Sequence, residues 1–205
     1  MKKIIFFDID RTLFDTDSFL ENFYQKLFIK FNIESKYKDT LIDLYKESKA
    51  DGYFNPQIFL EKISKKFNIE INTIQTLFWD QKLIDKYLYQ DTDILLQLST
   101  KTRMGVFSKG DSKFQKIKLT KFKTILNKND IYIFPNKIEK FLEVLKKYSD
   151  HEIYLVDDDN QILLEAKKVN SDIFTILMDR KKKQTKNGKI DLQISSLSQI
   201  QKLYE

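Results

Sequence analysis

The stretch that decides the fold is Ile4-Ile5-Phe6-Phe7-Asp8-Ile9-Asp10-Arg11-Thr12-Leu13-Phe14, close to the beginning of the chain. Its apolar run of branched and aromatic residues is typical of a strand that is buried on both faces of a parallel sheet. The run ends at two carboxylates, Asp8 and Asp10, which Thr12 follows. In open α/β sheets, ligands bind beyond the carboxyl ends of the strands. The stretch therefore predicts a polar site at a strand end, and an acidic turn that caps the next helix is the alternative.

The composition is that of a globular protein with one sizeable core. The chain has 205 residues, of which 41% are hydrophobic and 32% are charged, the usual balance of a folded domain. It has no cysteine, which excludes disulfides and thiolate metal sites. The first apolar run is too short for a signal peptide and no run could cross a membrane, so we expect a cytoplasmic protein without membrane contact. The net charge of +6 comes mainly from scattered lysines, so we expect an anionic small molecule as partner and no nucleic acid.

Helical periodicity dominates the segment from residue 15 to residue 90. Phe19, Phe23, Leu27 and Phe31 recur every four residues, which predicts an amphipathic helix. Similar patterns follow along the segment, and it contains no convincing strand. We therefore expect an all-helical cap that is inserted after the first strand.

Strands and helices alternate in the rest of the chain. Apolar strands are predicted at 103–107, 131–134, 153–156 and 173–178, with helices between them. This alternation predicts a parallel sheet with right-handed crossovers, and hence the α/β class. The expected division is a catalytic core made of residues 1–14 and 91–205, interrupted by the cap at residues 15–90.

Polar side chains follow three of the predicted strands. The carboxyl ends of parallel strands lie at the same edge of a sheet, so these side chains should converge. A lysine near the start of a following helix can reach the same edge. Carboxylates, a hydroxyl and a lysine suit a phosphate that is held by magnesium, because this hard cation prefers oxygen ligands. The residues concerned are Asp8, Asp10, Ser108, Asp157, Asp158 and Lys137.

The order of these motifs resembles the haloacid dehalogenase-like superfamily, whose members are mostly phosphatases. Asp8-Ile9-Asp10-Arg11-Thr12 looks like its first motif and Phe107-Ser108 like its second. Lys137 is similar to the third motif and Val156-Asp157-Asp158 to the fourth. The resemblance covers the core, while the insertion matches in position and class. It implies a Rossmann-like core of three layers with a helical cap between the first and second motifs.

The resemblance assigns roles to the first motif. Asp8 would be the nucleophile that forms an aspartyl-phosphate, and carboxylates are known to act in this way. Asp10 would be the general acid for the leaving group and then the base for the hydrolytic water. Thr12 would orient the loop and help to bind phosphate. Arg11 stands where the family often has glycine, and we expect this difference to be harmless.

The resemblance also implies how the phosphate is bound. Ser108 and Lys137 would hold the phosphoryl oxygens, together with the backbone N–H groups of Ile9 and Lys109. Lys140 lies one turn from Lys137 on the same predicted helix face. Either lysine is therefore a candidate for the third motif.

Mg²⁺ is the cofactor that the resemblance implies. It would be bound by the carboxylates of Asp8 and Asp158 and by the backbone carbonyl of Asp10. Asp157 would support this site without direct contact with the metal. Ile162 stands where many members of the family have a further acid or an asparagine, so the metal would depend more on the Asp157–Asp158 pair.

The expected function is that of a magnesium-dependent phosphatase, a phosphoric monoester hydrolase that acts on a small phosphorylated metabolite. A phosphomutase with the same chemistry and a non-catalytic protein that binds a phosphorylated ligand are the alternatives. A dehalogenase is disfavoured, because Asp10 has no role when no leaving-group oxygen needs a proton. We expect a monomer or a weak homodimer.

Overall fold

The computed structural model describes residues 2–50 and 52–203, and its centre is a parallel sheet. The strands are β1 (Lys2–Phe7), β2 (Lys49–Ala50), β3 (Tyr53–Phe54), β4 (Arg103–Lys109), β5 (Ile131–Phe134), β6 (His151–Asp157), β7 (Phe174–Met178) and β8 (Leu192–Ile194). Six of them form one sheet in the order β5-β4-β1-β6-β7-β8, and all neighbours in it are parallel. The predicted α/β class with a parallel sheet is confirmed.

Within the part of the chain that the structure describes, nine α-helices surround this sheet or form the insertion. They are α1 (Thr16–Phe31), α2 (Lys38–Glu47), α3 (Pro56–Phe67), α4 (Ile71–Phe78), α5 (Gln81–Asp85), α6 (Ile94–Leu98), α7 (Ser112–Lys118), α8 (Lys137–Lys146) and α9 (Asn160–Val169). The described chain ends in a 3-10 helix at Leu197–Leu203. Within the described residues, every helix is too short or too polar to cross a lipid bilayer.

The central strand β1 is buried on both faces, as its apolar run predicts. Ile4 and Phe6 point to the layer that contains α8 and α9. Ile5 and Phe7 point to the opposite layer, which contains α6 and α7 and continues into the insertion. Successive side chains of a strand face opposite sides, so a strand between two helix layers is apolar at every position. The three-layer core follows from this arrangement.

The insertion packs around a cluster of aromatic rings. Phe19 and Phe23 of α1 contact Phe78 of α4, with ring centroids 5.3 and 5.0 Å apart. Phe114 of α7, a helix of the core, joins the same cluster at 5.1 Å from Phe78. One hydrophobic core therefore runs from the sheet into the insertion.

The prediction of an all-helical cap is wrong at one place. Strands β2 and β3 form an antiparallel pair, in which Lys49 lies opposite Phe54 and Ala50 opposite Tyr53. Gly52, with a φ of +77°, lies in the turn between them. Strands of two residues carry no periodicity, so the sequence pattern shows only the helices on either side.

The two segments that connect the core to the insertion lie side by side. Asp15 N donates to Tyr87 O at 2.8 Å, and Tyr89 N donates to Leu13 O at 3.0 Å. An isolated bridge joins Phe14 to the returning segment between these bonds. The domain boundaries at residues 15 and 90 stay a prediction. The pairing of residues 13–15 with residues 87–89, called the paired crossing below, lies beside these boundaries.

Candidate active site

The loop after β1 directs two carboxylates into one cavity. Asp8 N donates to Val156 O at 2.8 Å, which continues the pairing of β1 with β6 by one residue. The chain then folds back tightly, because the N–H groups of Leu13 and Phe14 both donate to Ile9 O at 2.9 Å. Asp8 and Asp10 line the cavity that results.

Arg11 lies at the bend of this loop with a left-handed backbone. Its φ is +58°, a conformation in which a residue with a Cβ is strained and glycine is not. The guanidinium also lines the cavity and donates to Asp17 Oδ1 at 2.8 Å. The left-handed backbone at Arg11 could not be predicted from the periodicity of the sequence.

Lys137 bridges Asp8, which follows β1, and Asp157, the last residue of β6. It is the first residue of α8 and is 3% exposed. Its Nζ donates to Asp8 Oδ1 at 2.7 Å and also to Asp157 Oδ2. Burial opposes its charge, but the two carboxylates outweigh burial and raise the pKa of Lys137. Lys140 is exposed and pairs with Glu143, so the structure places Lys137 at the site and Lys140 outside it.

Three carboxylates converge beside Lys137. One oxygen each of Asp8, Asp157 and Asp158 lies within 4.8 Å of the others. Burial raises the pKa of Asp157 to about 7 even though Lys137 opposes it. Burial and the repulsion from Asp8 and Asp157 raise the pKa of Asp158 to about 8. A divalent cation among these oxygens would offset their repulsion, so the residues present fit Mg²⁺.

The two adjacent aspartates of this cluster differ in their surroundings. Asp157 is 1% exposed, and both of its oxygens are engaged, one by Lys137 and the other by Asp159 N at 3.0 Å. The carboxylate of Asp158 has no hydrogen bond or ion pair with another described residue. Ile162 lines the cavity but offers no ligand atom.

Asp10 is held by three side chains. Lys118 Nζ donates to its Oδ1 at 2.6 Å, and the Thr16 hydroxyl donates to the same oxygen. Gln115 Nε2 donates to Oδ2 at 2.6 Å. Burial would raise the pKa of Asp10, but Lys118 and these hydrogen bonds outweigh it and keep the pKa below its usual value.

The sequence interpretation did not identify Lys118 and Gln115. Lys118 is 1% exposed and Gln115 is 2% exposed, both on α7. This helix also carries the exposed Lys113 and Lys116. The three-residue spacing of Gln115 and Lys118 on the face of Phe114 was the available signal. It is a weak one, because lysine on an amphipathic helix is usually exposed.

The remaining predicted residues lie at different depths. Ser108 is fully buried, and its hydroxyl accepts from Gln115 Nε2 at 3.4 Å and lies near enough to Asp8 to lower its pKa, against the larger effect of burial. Lys109 lines the cavity. Thr12 is fully buried below the loop and is not part of the cavity wall. Its carbonyl accepts from Arg180 Nη2 at 2.6 Å, and its hydroxyl has no partner among the described residues. The structure therefore brings Ser108 and Lys109 to the site but leaves the Thr12 side chain underneath.

The insertion forms the roof of the site. The cavity has a volume of about 240 Å³. Tyr45 of α2 and the β2–β3 hairpin, through Lys49, Tyr53 and Phe54, line its upper side. The Lys49 ammonium lies 5.0 Å from the centre of the Tyr45 ring. A ligand in this cavity would contact the strand ends below and cap side chains above.

Comparisons with known proteins identify the fold. No protein-family model matches the sequence, and no curated protein matches it. Solved structures do match over nearly the whole chain. A Burkholderia xenovorans protein described as a haloacid dehalogenase-like hydrolase has 18% identity and a TM-score of 0.77, with 98% of each chain covered. The fold is that of the haloacid dehalogenase-like hydrolases.

Two further structures with the haloacid dehalogenase-like fold are a magnesium-bound hydrolase and a dehalogenase by their descriptions. The HAD-hydrolase YfnB from Bacillus subtilis, bound to magnesium, is 13% identical with a TM-score of 0.67, and 98% of each chain is covered. The defluorinating L-2-haloacid dehalogenase Rha0230 is 14% identical with a TM-score of 0.72, and 98% of this chain and 94% of that chain are covered. A fold does not determine the reaction, so the residues of the site must decide between candidate reactions.

Proposed function

We propose that this chain belongs to the haloacid dehalogenase-like superfamily and is a magnesium-dependent phosphatase that acts on a small phosphorylated metabolite. The observation that carries the proposal is the convergence of Asp8, Asp157 and Asp158 around Lys137. Three carboxylates and one ammonium leave an excess of negative charge, which a bound cation would balance. Asp10 supplies a further carboxylate beside the nucleophile.

Mg²⁺ would be held by the carboxylates of Asp8 and Asp158, with the Asp10 carbonyl as a further oxygen donor. Asp157 has both oxygens engaged by Lys137 and Asp159, so it would hold Lys137 in place. When bound, the ion reduces the repulsion between an anionic nucleophile and an anionic substrate.

The reaction proceeds in two steps on the residues of this chain. A carboxylate oxygen of Asp8 bonds to phosphorus while the ester P–O bond breaks. Asp10 gives a proton to the departing oxygen from its protonated form, which is the minor form because Lys118 outweighs burial and lowers its pKa. In the second step Asp10 takes a proton from water while the water oxygen bonds to phosphorus. The bond between phosphorus and Asp8 then breaks, and phosphate leaves. Lys137 and Ser108 lie beside Asp8, where they hold the phosphoryl oxygens in both steps.

The size and lining of the cavity favour a small ester. A volume of about 240 Å³ suits a phosphoryl group and a leaving group of metabolite size. Tyr45, Lys49, Tyr53 and Phe54 line the upper side, so the cap would select the leaving group. A cap above a reactive site also excludes water from it.

Dehalogenation is the second candidate, because one similar structure is a haloacid dehalogenase. In that reaction the Asp8 carboxylate would attack carbon and halide would leave without a proton. That reaction needs no general acid, although hydrolysis of the ester on Asp8 would still need a base. Its substrate would also bring no phosphoryl charge for a cation at the three-carboxylate cluster to balance. The site residues therefore support phosphate ester hydrolysis over dehalogenation.

A paired screen tests the proposal. Phosphate release is measured from phosphorylated sugars, nucleotides, amino acids and cofactors, with Mg²⁺ and with EDTA, and halide release is measured from 2-haloacids. We expect phosphate release that requires Mg²⁺ and is lost in Asp8→Asn. Halide release by the wild-type protein, without phosphate release from any ester, would favour the dehalogenase instead.

A further inference from the structure

We infer that Lys118 is a positioning residue, which holds the Asp10 carboxylate for the second step of the reaction. The inference rests on the proposed function. Lys118 Nζ lies 2.6 Å from Asp10 Oδ1 and 2.8 Å from Gln115 Oε1. Gln115 in turn donates to the other oxygen of Asp10. The two side chains of α7 thus fix both oxygens of one carboxylate.

Aromatic rings on two sides of the Lys118 ammonium attract its charge but do not require one. The ammonium lies 4.0 Å from the centre of the Phe114 ring and 4.8 Å from that of Phe14. Rings on both sides would accommodate an apolar side chain of the same length. Replacing a buried ion pair by well-packed apolar groups is often neutral or stabilising, so a buried pair is weak evidence for a stability role. The requirement for the charge therefore lies with Asp10.

Asp10 needs its own counter-charge because of the crowding at the site. Lys137 is already shared by Asp8 and Asp157. Repulsion from these carboxylates would push a further one outward, away from the reacting phosphorus. Lys118 opposes this repulsion from the side of α7, and Gln115 sets the plane of the carboxylate.

The second step depends most on this arrangement. The ionised Asp10 takes a proton from the water whose oxygen bonds to phosphorus, while the bond between phosphorus and Asp8 breaks. The first step needs no acid when the leaving group is a good one, such as p-nitrophenolate. Loss of Lys118 should therefore slow the removal of phosphate from Asp8 but leave its formation from p-nitrophenyl phosphate nearly unchanged.

The test is rapid-mixing and steady-state kinetics of Lys118→Met with p-nitrophenyl phosphate and Mg²⁺. We expect kcat to fall about 100-fold, the cost of losing a well-placed base. KM should fall with kcat, so that kcat/KM stays within about threefold of wild type. A burst of about one p-nitrophenolate per active site should precede the slow phase, because the phosphorylated enzyme accumulates.

Matched variants separate positioning from folding. Lys116→Met changes an exposed lysine of the same helix and should leave the kinetics unchanged. Lys118→Arg should restore part of kcat and remove the burst. Gln115→Met frees the other oxygen of Asp10 and should give a smaller burst, so it tests the inference even if Lys118→Met does not fold.

The outcomes distinguish this inference from the proposed function. If the wild-type protein is active and both Lys118→Met and Gln115→Met lose kcat/KM without a burst, or keep wild-type kinetics, Lys118 has no positioning role. If the wild-type protein releases p-nitrophenolate from no phosphate ester with Mg²⁺, the proposed function fails and this inference fails with it.

Discussion

The proposed function assigns different tasks to the adjacent residues Asp157 and Asp158. Asp157 is fixed by Lys137 and by Asp159 N, whereas the Asp158 carboxylate is unengaged among the described residues. We therefore predict that Asp158→Asn raises the Mg²⁺ concentration for half-maximal rate more than Asp157→Asn does. Loss of a supporting residue costs about 10- to 100-fold in affinity or activity, and loss of a ligand removes a charge as well.

The measurement is a Mg²⁺ titration of the rate for both variants, with calorimetric Mg²⁺ binding as an independent readout. A larger shift of the midpoint in Asp157→Asn would exchange the roles of the two residues.

In the proposed mechanism Asp8 is the nucleophile, and asparagine at this position keeps the shape of the side chain but cannot form the phosphoaspartate. We predict that Asp8→Asn lowers the rate of phosphate release by at least about 1000-fold. Mass spectrometry of the wild-type protein, quenched in acid during turnover, should show phosphate on Asp8. Thermal unfolding of the variant verifies that it is folded. Wild-type turnover in the folded variant would overturn the aspartyl-phosphate mechanism.

Some residues of the candidate site could be predicted from the sequence, and others could not. Asp8 and Asp158 follow apolar runs that predict strands, so the sequence predicts both residues at strand ends. Lys118 could not be predicted in this way, because its burial depends on Phe14 and Phe114, which are brought together only by the folded chain. The depth of Thr12 below the loop is likewise a tertiary property.

At the scale of elements, β4 depends on a glycine. A Cβ added at Gly105 would lie 2.5 Å from Phe6 Cε1 and 2.7 Å from the backbone oxygen of Asp130. The Phe6 ring is 1% exposed and packs edge-on to Tyr148 at 5.1 Å, so it has little room to move. We predict that Gly105→Ala lowers the free energy of unfolding by about 1–3 kcal/mol.

Urea denaturation of Gly105→Ala and Gly188→Ala measures this effect. A Cβ at Gly188 has no other atom within 4 Å, so the control should stay within about 0.5 kcal/mol of wild type. Equal stabilities of the two variants would mean that β4 can shift away from β1.

Long elements were predictable from the sequence and short ones were not. Four strands and the helix of Phe19 to Phe31 show clear periodicity, and all of them are present. The β2–β3 hairpin was missed, because a two-residue strand is too short to have a pattern. The segment Leu197–Leu203 forms a 3-10 helix, and the pattern of side chains separates this winding poorly from an α-helix.

At the scale of the whole molecule, the insertion and the sheet share one hydrophobic core. Phe114 is one contact that links them, because it belongs to α7 and packs against Phe78 and Trp79 of the insertion. We therefore predict a single unfolding transition. Trp79 is the only tryptophan of the chain, so its fluorescence reports the insertion while far-UV circular dichroism reports all helices.

Urea midpoints from the two signals should coincide within error. An earlier fluorescence transition would show that the insertion unfolds before the sheet. Phe114→Ala should lower the common midpoint through the loss of a buried ring, about 3–5 kcal/mol of stability. A separation of the two midpoints in this variant alone would identify Phe114 as the coupling contact.

The paired crossing between core and insertion has a consequence for the length of the chain. The bonds Asp15 N to Tyr87 O and Tyr89 N to Leu13 O fix the entry and exit of the insertion at hydrogen-bonding distance from each other. The first and last residues of this long insertion therefore lie as close together as the two strands of a short hairpin. The entropy of closing a loop grows only slowly with its length. Residues could thus be added to or removed from the surface loops between the distal helices while Asp8 and Asp10 keep their spacing. Under the proposed function, the insertion could in this way be adapted to leaving groups of different size.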